Sequence, residues 1–142
     1  LYAREVVPGA GDVVQTLMSR GVRVAIVSGG LEPAVAAFAE TLGIPATDVF
    51  AVAVRFDERG AYTGYDEASP LARNGGKVEV LSRLRLEAPP LLFLGDGITD
   101  LEASPVVDRF VGYGGVVQRA ALETAAATYR TDPDLGFVLD YV

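Results

Sequence analysis

The chain has 142 residues, half of them apolar, which is enough for one domain with a real core. Its net charge of −7 excludes a nucleic-acid surface, which needs a basic stripe. With neither cysteine nor histidine, disulfides, thiolate chemistry, Ser-His-Asp triads and most zinc sites are excluded together.

What chemistry remains must use carboxylates, Lys, Arg, hydroxyls or main-chain dipoles. That points toward phosphate and Mg²⁺ rather than acyl transfer. The apolar runs are too short to span a bilayer and no basic-then-apolar N-terminal signal is visible, so no membrane partner is expected. A cytoplasmic setting fits, although a lack of cysteine fits an oxidising compartment equally well.

The chain opens on Leu1 rather than Met, and Tyr2 to Val7 run straight into a helix-like stretch. The opening reads like the inside of a longer protein. From Gly9 to Ser19, Val13, Val14, Leu17 and Met18 recur at helical spacing, and Gly21 is a natural stop. Val22 to Val27 is an apolar, β-branched run that predicts a strand ending at Ser28-Gly29-Gly30. A helix is predicted from about 32 to 42, with Pro33 early and Val35, Phe38, Ala39 and Leu42 on one face. A serine and two glycines between strand and helix make a small anion cradle of main-chain N–H groups and a hydroxyl. The plainer alternative is a glycine-rich turn that only reverses the chain.

Gly43-Ile44-Pro45 breaks that helix. Residues 49–56 predict a strand, 57–60 a turn, and Ala61 to Tyr65 the returning arm of a hairpin. Asn74-Gly75-Gly76-Lys77 opens a helix from about 75 to 86. A lysine in a helix's first turn opposes the peptide dipoles, so an anion nearby would explain it; a solvated lysine at small cost is the alternative. Pro89-Pro90 leads into a second buried strand at 91–94. That strand ends in Gly95-Asp96-Gly97, with Asp100 four residues after Asp96. A carboxylate just beyond a strand's C-terminal end sits where open α/β sheets bind ligands, and two carboxylates on one loop suit Mg²⁺. An ordinary Asp-Gly turn with solvated acids is the alternative. Helix-forming residues at 98–103, a strand near 109–112, a helix near 116–126, a short strand at 128–129 and a terminal helix after Pro133 complete the series. Strands alternating with helices give an α/β fold, a Rossmann-like parallel sheet flanked by helices with a β-hairpin insertion near 49–65. The whole of 1–142 is expected to form a single domain.

Ser28, Lys77 and Asp96/Asp100 thus fall on a strand end, a helix start and a strand end. This constellation resembles the haloacid dehalogenase-like phosphatases, and among them the phosphoserine phosphatase family. VAIVSGG (24–30), LGIPATDVF (42–50), GYD (64–66), GGK (75–77), LGDGITDLEA (94–103) and VGYGG (111–115) carry the likeness over the whole chain. The resemblance implies that Ser28 hydrogen-bonds a phosphate, with Gly29 and Gly30 offering N–H groups. It implies that Lys77 neutralises phosphoryl oxygens, that Asp96 ligates Mg²⁺, that Asp100 holds the metal site by hydrogen bonding, and that Thr99 lies close to the substrate. The activity implied is hydrolysis of O-phosphoserine to serine and phosphate, ending serine biosynthesis. Homo-oligomerisation stays open.

The family's first motif, D-x-D-x-T, whose first Asp becomes aspartyl-phosphate and whose second is the general acid/base, does not occur here. The one acid pair with that spacing, Asp132-Pro133-Asp134, has no apolar strand leading into it and is not a substitute. In the family that motif and the helical cap precede the segment matched here. The chain is therefore expected to be a C-terminal portion lacking its N-terminal strand and most of the cap, the missing strand belonging between those at 22–27 and 91–94. Two rival functions stand beside the leading one: a related phosphatase for another small phosphomonoester, and a catalytically dead remnant that binds Mg²⁺ and phosphate through Asp96, Ser28 and Lys77.

Overall fold

A computed structural model describes residues 6–142, which separate into two compact units. One takes the residues up to Ala72 together with Asp134–Val142; the other is Arg73–Pro133. The opening Tyr2–Glu5 lies outside the described residues. Among the described residues no helix is long and apolar enough to cross a membrane.

In the first unit, α1 (Ala10–Ser19) buries Val13, Val14 and Leu17, as their spacing requires, while Met18 stays exposed. Gly9 enters it and Gly21 ends it, both at positive φ. β1 (Ile26–Leu31) lies parallel to β2 (Val49–Val52), with α2 (Glu32–Thr41) as the crossover. Ala10, Val14, Ala39, Leu42 and Ile44 form the buried centre, against which Val24, Ile26, Phe38 and Val49 pack.

The first strand is displaced from its predicted position at 22–27. Its partner starts only at Val49, opposite Ile26, so residues 22–25 have no ladder to join. The ladder continues past the apolar run and resumes at Leu31↔Val52 after a register shift. Ser28-Gly29-Gly30 is therefore the irregular part of β1 rather than a turn behind it. The predicted 49–56 strand divides at Ala53. Val49–Val52 runs parallel to β1, whereas β3 (Val54–Phe56) pairs antiparallel with β4 (Tyr62–Tyr65). The C-terminal stretch predicted as a helix is a 3₁₀ segment, Leu135–Tyr141.

In the second unit, β5 (Leu92–Gly95), β6 (Arg109–Tyr113) and β7 (Tyr129–Arg130) form a parallel sheet in that order. Helix α3 (Gly76–Glu87), the short α4 (Ile98–Leu101) and α5 (Ala120–Ala125) connect and flank it. Val80, Leu81, Leu84, Val107, Phe110, Val111 and Leu122 are buried. Helix α5 starts four residues later than predicted: Val116 and Val117 are exposed and stand outside it. Each unit holds parallel β-strands flanked by helices, the first with the antiparallel hairpin of β3 and β4 besides, which is the expected α/β class.

Candidate functional site

β5 stops at Gly95 because the chain must double back at once. A Cβ on Gly95 would run into the Asp100 side chain, so only glycine lets α4 return its third residue against the strand end. Asp100 is buried, with 5% of its surface exposed. Its Oδ2 accepts the main-chain N–H groups of Asp96 at 3.1 Å and Gly97 at 3.0 Å. Its Oδ1 lies 2.5 Å from Lys77 Nζ. A buried carboxylate is tolerated because three donors satisfy it, one of them a cation.

Lys77 sits in the first turn of α3, behind Gly75 at φ 77° and the buried Gly76. The anion that its position calls for is Asp100. This ion pair spans 23 residues and ties the start of α3 to the end of β5. Asp96 has the opposite environment. It is exposed, and its carboxylate has no hydrogen-bond or ion-pair partner among the described residues. Its main-chain carbonyl accepts Arg119 Nε at 2.9 Å. The two acids of one loop are thus divided: Asp100 is spent on holding the turn, and Asp96 is presented by it. Thr99, on α4, is exposed.

Ser28, Gly29 and Gly30 lie in the other unit. Ser28 Oγ accepts the Gly30 N–H at 3.0 Å, so one N–H of the expected cradle is already taken by the serine. Gly29 is exposed, and a Cβ there would come within 3.3 Å of the Leu71 carbonyl. The bland reason for that glycine is close approach of the chain at Leu71. Lys77, Asp96 and Asp100 are brought together within one unit; Ser28–Gly30 are described only within theirs.

The Asp132-Pro133-Asp134 pair is occupied with structure. Arg130 binds both carboxylate oxygens of Asp132, at 2.8 and 2.9 Å through Nη2. Asp134 accepts the Gly136 N–H and starts the terminal 3₁₀ segment. Both carboxylates thus serve the local structure. Sequence reasoning missed Arg119, and no local pattern marks it. It also missed Asp108, which accepts the Leu91 N–H at 2.7 Å and pairs with Arg85 at 2.7 Å. Those two donors, the main-chain N–H first, hold the Asp108 carboxyl below its ordinary value of 3.8.

Among the described residues, no three acidic side chains cluster as a ready-made metal cage. A free, exposed carboxylate on a preorganised turn nevertheless suits Mg²⁺, which commonly takes one or two carboxylates and completes its shell with water and phosphate oxygens.

Known proteins resemble the chain in sequence and in fold. The sequence profile described as haloacid dehalogenase-like hydrolase matches residues 1–104. Human phosphoserine phosphatase is 41% identical over 127 residues, which cover 88% of this chain and 56% of that protein. A substrate-bound phosphoserine phosphatase complex superposes with a TM-score of 0.74 at 28% identity, covering 96% of this chain and 63% of that one. A phosphoserine phosphohydrolase-like protein from Francisella tularensis reaches a TM-score of 0.78 at 21% identity, covering 93% and 61%, and shows a shared fold. The chain spans about half the length of the curated relatives it matches.

Proposed function

The chain belongs to the haloacid dehalogenase-like hydrolases, and from that premise we propose that it carries the cation- and metal-binding part of a phosphoserine phosphatase-type active site. The observation that carries this reading is the Asp96 turn. Its amides are fixed by a buried acid, that acid is fixed by Lys77, and one carboxylate is left free at a strand's C-terminal end. Likeness to phosphoserine phosphatases at about 40% identity supports the substrate, O-phosphoserine.

In this reading Asp96 would hold Mg²⁺, whose charge offsets that of the phosphoryl group when bound. Lys77 supplies a positioned ammonium for phosphoryl oxygens, with Asp100 holding it in place. Within its own unit Ser28 offers a hydroxyl for a phosphate oxygen while its own oxygen accepts from Gly30. The nucleophile is an aspartate of a D-x-D-x-T strand, which these 142 residues do not contain. That carboxylate displaces the serine hydroxyl from phosphorus, the second acid of the motif protonates the departing oxygen, and water then releases phosphate.

The test joins the chain to a D-x-D-x-T-bearing segment and measures phosphate release from O-phosphoserine with Mg²⁺. Turnover that Lys77→Met abolishes supports the reading; a folded, Mg²⁺-loaded protein without turnover refutes it. A second reading is a silent Mg²⁺ and phosphate binder. It predicts phosphate binding without hydrolysis in the same assay.

A further inference from the structure

We infer that Arg119 is a positioning residue for the Asp96 turn. Glycines flank Asp96 on both sides, so its peptide planes are freer than most and need anchors. One anchor is Asp100 Oδ2, which accepts the amides of Asp96 and Gly97. The other comes from 23 residues away: Arg119, immediately before α5, donates Nε to the Asp96 carbonyl at 2.9 Å. Both main-chain polar groups of Asp96 are therefore held by side chains, while its carboxylate has no partner among the described residues. The two peptide planes at a Cα set where its Cβ points. Clamping the N–H from one side and the C=O from the other aims the free carboxylate.

A purely electrostatic role for Arg119 makes the opposite prediction. Lys77 is neutralised by Asp100, but Arg119 has no acidic partner among the described residues. An unneutralised guanidinium near a metal-binding carboxylate repels the metal, weakly across solvent. If charge alone mattered, removing it would tighten Mg²⁺ binding. A hydrogen bond that orients a metal ligand acts in the other direction, since loss of such a partner weakens metal binding. The inference rests on the reading of Asp96 as a metal ligand, so its test has one arm that needs the metal and one that does not.

In the first arm, Mg²⁺ is titrated into the wild-type chain, Arg119→Met and Arg119→Lys by calorimetry. In the second, exchange of the Asp96 and Gly97 amides is followed by NMR without metal. We expect Arg119→Met to bind Mg²⁺ about 10-fold more weakly and to exchange both amides several times faster. Arg119→Lys should recover part of each, because an ammonium can still donate to the carbonyl. Tighter or unchanged Mg²⁺ binding by Arg119→Met, or unchanged amide exchange, overturns the inference. A wild-type chain that binds no Mg²⁺ removes Asp96 from the metal site, and the exchange arm then decides alone whether Arg119 holds the turn.

Discussion

Asp96 and Asp100 stand four residues apart on one loop, and their neutralisation should have opposite consequences. Asp96→Asn alters an exposed carboxylate without a protein partner, so stability should change by no more than about 0.5 kcal/mol. Mg²⁺ affinity should fall, because a charged oxygen ligand becomes a neutral amide. Asp100→Asn alters a buried group that accepts from two amides and an ammonium. An asparagine can turn its oxygen to the two N–H groups only by turning its NH₂ toward Lys77, donor against donor. Lys77 is partly solvated, with 20% of its side chain exposed, so the loss is smaller than for a sealed pair: about 2–3 kcal/mol. Urea unfolding and Mg²⁺ calorimetry on both variants check the contrast. Equal stability loss in the two would mean that the loop does not divide its acids as described, and unchanged Mg²⁺ affinity in Asp96→Asn would remove it from the metal site.

At the level of elements, β6 owes its place beside β7 to glycine. A Cβ on Gly112 would lie 3.0 Å from Tyr129 Cδ2 and 3.2 Å from both Leu122 and Ala126. Gly112→Ala should therefore cost about 1–3 kcal/mol by overpacking, read as a lower melting temperature. The beginnings of β5 and β6 depend on Asp108, which joins the Leu91 amide to Arg85 of α3. Its carboxyl titrates below 3.8 when folded, so its contribution is present above that pH. The contribution is lost as pH falls through the lowered folded value. Asp108→Asn should flatten this part of the acid-unfolding curve, and an unchanged curve would show that the staple is idle. These two contacts mark what the sequence could not show, since each joins residues distant along the chain. Helices α1, α2 and α3 were legible to within a residue or two, because apolar spacing and flanking glycines are local signals. The strands at 62–65, 92–95, 109–113 and 129–130 were legible to within a residue as well, but the first two predicted strands were not: β1 extends as far as β2 gives it partners, and 49–56 divides because its halves pair with different strands. Lys77, Asp96 and Asp100 could be singled out as candidates because a lysine in a helix's first turn and two acids on one glycine-rich loop are local signals. Arg119 carries no such signal, being one arginine in a short connection.

For the whole molecule the question is what 142 residues can do without the D-x-D-x-T motif. We expect the chain alone not to hydrolyse O-phosphoserine at an enzymatic rate. There is no histidine or cysteine, Asp132 and Asp134 are engaged by Arg130 and by the Gly136 amide, and Asp100 is held by three donors. Asp96 is the free acid of the loop, but binding Mg²⁺ would occupy its oxygens. Lys77 can stabilise charge on a phosphoryl group, yet stabilisation without an attacking atom leaves the main step unassisted. Each unit also leaves a strand edge open among the described residues: β1 is paired with β2 alone, and β5 with β6 alone. Unpaired ladder groups are a ready site for another strand. A peptide bearing D-x-D-x-T, added in cis or as a separate chain, should therefore raise the melting temperature as well as start turnover. Phosphate release and thermal unfolding, measured on the same samples with and without the peptide, read the two effects together. Turnover by the unsupplemented chain as fast as by the supplemented one would overturn this account of the nucleophile. Turnover gained without any rise in melting temperature would mean that the segment acts without joining a sheet.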